Sequence, residues 1–142
     1  MTRGTVGRTR RRLLLAVLTL ALAVTATGCR DAVADRLASL PVMATVPDGV
    51  EVVERKRGSE IGGWPTTPIM AQVEYRALDG GDLERALDEI RQIAFDTGWD
   101  AEPAAFGDQI RATTTTADGP VQLSAFTPLD SDRIVMTVVL TS

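Results

Sequence analysis

Histidine is missing from all 142 residues of this chain, and with it the side chain that most often serves as general base and metal ligand. Serine–histidine–aspartate and cysteine–histidine triads are excluded at once. Cys29 is the only cysteine, so no internal disulfide can form and no thiolate cluster can hold a metal. Lys56 is the only lysine. A serine–lysine pair would have to use it, with Ser59 nearest in sequence, and a solvated lysine beside a loop is the simpler reading. Aromatic residues make up 4% of the chain, which makes the position of each tryptophan informative. No apolar run reaches the roughly 20 residues needed to cross a bilayer as a helix.

The longest such run is LLLAVLTLALAVTA, Leu13 to Ala26, broken only by Thr19 and Thr25. It follows MTRGTVGRTRRR, which carries Arg3, Arg8, Arg10, Arg11 and Arg12 and no acid. A basic start, a short apolar middle and small residues before a break form an export signal that is later removed. A buried N-terminal helix is the competing reading. It fits poorly with five arginines next to a run that has no polar face.

Ala26-Thr27-Gly28-Cys29 closes the run. This segment resembles the lipobox of bacterial lipoproteins, and the resemblance covers the signal peptide only. It implies a diacylglyceryl group joined by a thioether to the Cys29 sulfur, and cleavage between Gly28 and Cys29. Sulfur suits that chemistry because part of a free thiol is already thiolate near neutral pH. Gly28 and Thr27 are small enough to lie extended in a protease groove. Ala26 departs from the leucine that the family prefers three residues before the cysteine. The alternative is conventional cleavage at the small residues of TAT, 25–27, leaving a soluble product with an odd free thiol. Lipidation accounts for the lone cysteine, and two acyl chains suffice for stable anchoring. The implied location is the extracytoplasmic face of the cell membrane, with the membrane as partner through diacylglyceryl on Cys29.

TRRRLL, Thr9 to Leu14, also resembles a twin-arginine export signal, with Leu13 where that family has phenylalanine. An ordinary arginine-rich n-region is the plainer account. Arginine used almost to the exclusion of lysine, with abundant alanine, is the bias of a high-GC genome such as an actinobacterium's.

All five basic residues of the signal leave with it. Ten basic residues then face nineteen acidic ones, a net charge of −9 that repels nucleic acid and anionic headgroups alike. Nucleic-acid binding is therefore set aside. The organisation expected is a signal peptide at 1–28, a lipidated cysteine and tether at 29–45, and a single domain at 46–142. In the tether, Val33, Leu37 and Leu40 share helical spacing ahead of Pro41. At this length a mobile linker is the expectation.

Within the domain, GVEVVERK (Gly49 to Lys56) is a strand candidate. IMAQVEYRA alternates, with Ile69, Ala71, Val73 and Tyr75 on one face. Leu83, Ala86, Leu87, Ile90, Ile93 and Ala94 make one helical stripe. Asp79 or Asp82 can cap that helix, and Gly98 supplies its stop, with Trp99 folding back. WDAEPAAF is demoted to an edge by Pro103. QIRATTTT, VQLSAFT and RIVMTVVLT follow, separated by ADGP and PLDSD turns. This predicts an α+β fold in ββαββββ order, one helix packed on an antiparallel sheet. A cystatin-like roll is one version of it.

Chemistry has few candidates. The carboxylate pairs Asp79 with Asp82, Asp88 with Glu89, and Asp130 with Asp132 have the composition of glycosidase acids. Each also has a structural task as helix cap, solvated helix face or turn. DSD lacks the further acids and the glycine of a calcium loop. No cofactor or metal is implied. In RGSEIGGWPTTP, Arg57 to Pro68, Trp64 sits between Gly63 and Pro65. It is a candidate binding anchor, since tryptophan is enriched at interface hot spots. The competing reading folds it over one end of the core.

Three functions follow as expectations. The first is a non-enzymatic, lipid-anchored domain binding a protein or envelope component, as an accessory subunit or inhibitor. The second is a structural envelope lipoprotein without a specific ligand. The third is a carboxylate-dependent hydrolase.

Overall fold

A computed structural model describes residues 28–58, 68–102 and 108–141. Two short helices, α1 (residues 28–38) and α2 (Pro41–Ala44), lead into β1 (Val50–Arg57) and β2 (Met70–Ala77). Helix α3 (Leu83–Asp96) follows, then β3 (Asp100–Ala101), β4 (Gln109–Thr116), β5 (Gly119–Phe126) and β6 (Arg133–Leu140). All strand pairs are antiparallel, and the sheet runs β1-β2-β6-β5-β4-β3. From β1 onward this is the expected ββαββββ order, an α+β fold with helices packed on a six-stranded open sheet.

Period-two alternation decides which face is covered. Ala71, Val73 and Tyr75 of β2 are buried, as are Val121, Leu123 and Ala125 of β5 and Ile134, Met136 and Val138 of β6. They pack against Ala86, Leu87, Ile90 and Ala94, the inner stripe of α3. The other face carries Gln72, Glu74, Thr137 and Ser124, which are half-buried, and Arg111, which is exposed. Strand β1 departs from this alternation. A bulge between Val52 and Glu54 leaves Val53 unpaired and turns Arg55 and Arg57, the partners of Val73 and Ala71, to the helix side.

Helix α3 begins and ends by local chemistry. The Asp82 carboxylate accepts from the amides of Glu84 at 3.0 Å and Arg85 at 3.3 Å, satisfying two donors that no helical turn can reach. At the other end Gly98 has φ +85°. That left-handed residue lets the Trp99 amide donate to Ala94 O at 3.0 Å and the Gly98 amide to Phe95 O at 3.1 Å. Trp99 then folds into the core, 5% exposed.

The segment expected to be a mobile tether is corrected by the packing. Ala34, Leu37, Val42 and Met43 are all buried, and Leu37 and Met43 belong to the same core as the sheet. An isolated helix of this length is marginal in water. Burying each large apolar side chain here returns about 1.5–3 kcal/mol, and side-chain ties add to it. Arg57 pairs with Asp35 at 2.6 Å, Arg55 donates to Met43 O at 2.7 Å, and Tyr75 donates to Thr45 O at 3.2 Å. Pro41 does end the first helix, but as the first residue of α2 it also starts the second.

Candidate functional site

The two ends of the sheet differ, and the candidate residues divide between them. One end holds the C-terminus of β1, the N-terminus of β2, the β4–β5 turn and the C-terminus of β6. Helix α1 lies there, with Asp31 and Ala34 beside Gly58 and Arg36 gripping Asp118 in the β4–β5 turn. Cys29, on the first turn of α1, is exposed. A Cβ built on neighbouring Gly28 would meet nothing within 4 Å. Both residues on which the expected cleavage and lipidation fall are thus open to solvent.

Trp64 lies outside the described residues, as does Ser59. The described residues that flank the Trp64 segment, Gly58 and Pro68, are at the same end of the sheet as Cys29. Lys56 pairs with Glu54 at 2.8 Å on the open face.

At the opposite end the link between β5 and β6 passes the N-terminus of α3 and leaves a groove of about 490 Å³. Leu83 and Leu87 line its α3 side, and Pro128 and Leu129 its loop side. Leu129 is 97% exposed, although a leucine in a polar turn has every reason to turn inward. Its neighbour Asp130 has φ +55°. Four carboxylates, Glu84, Asp108, Asp130 and Asp132, complete the wall, and no lysine or arginine is among the described lining residues. Glu84, Asp108 and Asp130 have no ion-pair partner among the described residues. Asp132 has Arg133 Nε 3.9 Å away, but that guanidinium is taken up by Glu74.

The other carboxylates are occupied. Asp82 caps α3, Asp88 pairs with Arg91, and Glu89 accepts from the Asp48 amide at 2.9 Å. Bonding to Glu74 raises the Arg133 pKa. The Arg36 hydrogen bonds hold Asp118 below the usual carboxylate range, against a smaller opposing effect of desolvation. Among the described residues no three acids or thiols are placed to share a metal ion, and no helix is long and apolar enough to cross a membrane.

The groove was not legible as a site. PLDSD reads as turn chemistry, and its partners Leu83, Glu84 and Leu87 lie more than forty positions earlier. The one available signal was Leu129, an apolar residue set among acids in a turn. No protein-family model, curated protein or solved structure matches this chain.

Proposed function

We propose that this chain is a non-enzymatic, lipid-anchored binding module on the extracytoplasmic face of the cell membrane. Cys29 carries the diacylglyceryl group. The groove between α3 and the β5–β6 link receives a segment of a partner protein. The observation that carries this reading is the make-up of the groove: Leu83 and Leu87 beside four carboxylates, of which Glu84, Asp108 and Asp130 have no ion-pair partner among the described residues. An apolar side chain entering over Leu83 and Leu87 gains about 25 cal/mol per Å² removed from water. Lysine or arginine on the same segment would meet Glu84, Asp108 and Asp130, for which the described residues supply no ion-pair partner. The partner segment is therefore basic with an apolar residue at its centre.

Carbodiimide coupling on intact cells tests this. It joins carboxylates directly to amines, and the chain has only one lysine of its own, Lys56. The expected product links Asp108, Asp130 or Asp132 to a lysine of one defined partner, and disappears in Leu129→Ala. A product that persists in Leu129→Ala and is lost in Trp64→Ala moves the binding surface to the loop at 57–68. No product in any variant favours a structural envelope lipoprotein instead.

A further inference from the structure

Cys29 and the core are separated by very little chain. Ala34 is already fully buried, five positions on, and both residues belong to α1. At 1.5 Å of rise per residue the gap is about 8 Å. A flexible spacer that would let the domain swing is not present in that interval. We infer that the domain is seated directly on the bilayer through the end that carries α1 and the β4–β5 turn, with the acidic groove pointing away. This rests on the lipidation of Cys29 proposed above.

The distribution of charge agrees with that seating. The mature chain carries −9, which by itself opposes contact with an anionic surface. Around Cys29, however, Arg30, Arg36 and Arg57 stand against Asp31, Asp35 and Asp118, a balanced set. Two pairs are direct: Arg36 with Asp118 at 2.6 Å and Arg57 with Asp35 at 2.6 Å. The charges of these six residues sum to zero.

The groove carboxylates lie at the other end. Each long strand has eight residues, so the sheet separates its two ends by about 26 Å at 3.3 Å per residue. The groove lies where β5 ends and β6 begins. That distance is roughly three Debye lengths at physiological salt, where the screening length is about 8 Å. Repulsion between the groove carboxylates and the headgroups is thereby screened out. A partner approaching from beyond the membrane surface meets the groove first.

Single thiols report the orientation, because the thioether consumes Cys29 and leaves any introduced cysteine as the only reactive one. The lipidated chain is purified from cells and placed in phosphatidylcholine–phosphatidylglycerol vesicles. It carries Ala32→Cys or Ala117→Cys at the near end, or Leu78→Cys or Leu129→Cys at the far end; all four positions are exposed. A maleimide on a long polyethylene glycol is the probe. Each variant is compared with the chain of residues 30–142 in solution. The expected result is labelling at 32 and 117 several-fold slower on vesicles than in solution, and labelling at 78 and 129 unchanged. Ten Gly/Ser residues inserted after Cys29 should restore the near-end rates. Equal rates at all four positions on vesicle-bound protein would overturn the seating while leaving the anchor intact. Protein that does not bind vesicles and keeps a free thiol at position 29 would overturn the anchor itself, and the seating with it.

Discussion

Arg36 and Asp118 are 82 positions apart and meet in a two-pronged ion pair, Nε to Oδ2 at 2.8 Å and Nη2 to Oδ1 at 2.6 Å. The pair fastens α1 to the β4–β5 turn. Planar guanidinium matches planar carboxylate here, a geometry that lysine cannot supply. It also ties the segment beside Cys29 to the sheet.

That pair makes stability depend on acid. Asp118 titrates below its ordinary value near 3.8 in the folded chain, chiefly through the Arg36 hydrogen bonds. Its folded pKa lies below its unfolded one, so its contribution is present above the unfolded value. It is lost as pH falls through the folded value. Urea unfolding of wild type and Asp118→Asn should differ at neutral pH, and the difference should shrink below about pH 4. A difference that stays constant from pH 6 to pH 2 would remove Asp118 as its source.

Leu37 separates a packed N-terminal segment from a tether. It is 1% exposed within the core. Leu37→Ala should cost about 2–5 kcal/mol of unfolding free energy, the range for truncating a buried leucine. Truncation of a linker residue would cost nothing measurable. Urea titration of the chain of residues 30–142 decides between them, and a loss under about 0.5 kcal/mol, the scatter of surface substitutions, would free the segment from the core.

The same residue shows what could and could not be read from the sequence. Strands β2 and β6 and helix α3 announce themselves because each buries one face, and burial imposes its period on the chain. The cap at Asp82 and the turn at Gly98 are local chemistry and equally visible. Val33, Leu37 and Leu40 have the spacing of an amphipathic helix whether it floats at a membrane or docks on a sheet. What settles the matter is a non-local surface. Arg55 and Arg57, in the charged second half of β1, turn to the helix side because of the bulge at Val53, and there they hold Met43 and Asp35. The groove is hidden for a similar reason, since separate stretches of chain compose it and none of them carries a motif.

Gly80 and Gly81 are adjacent glycines kept for different reasons. Gly80 has φ +76° and open space around it, so Gly80→Ala should cost only the left-handed strain of about 1–2 kcal/mol. A Cβ on Gly81 would lie 2.2 Å from Gly49 O and 2.9 Å from Leu78 O. Those carbonyls accept from the Leu78 and Gly81 amides at 2.9 Å and 2.7 Å, so neither moves without breaking a bond. Gly81→Ala should be the worse of the two, and thermal denaturation of both variants ranks them. Equal losses would mean that the approach of Gly49 to Gly81 is not a tight one.

Leu129 and Leu87 share the groove and should separate binding from stability. Leu129 touches solvent over 97% of its surface, whereas Leu87 is 2% exposed and part of the core. Leu129→Asp should therefore leave unfolding free energy within about 0.5 kcal/mol of wild type. It would put a further negative charge and no apolar surface where the proposed partner segment would place its central residue. Leu87→Ala should destabilise the fold by about 2–5 kcal/mol, so any loss of coupling in that variant is uninformative. With Leu129→Asp stable, loss of the carbodiimide product assigns the loss to docking. Added salt should weaken capture of a basic segment by wild type, because exposed charges are screened. Capture that is indifferent both to salt and to Leu129→Asp would leave the groove without a part in binding.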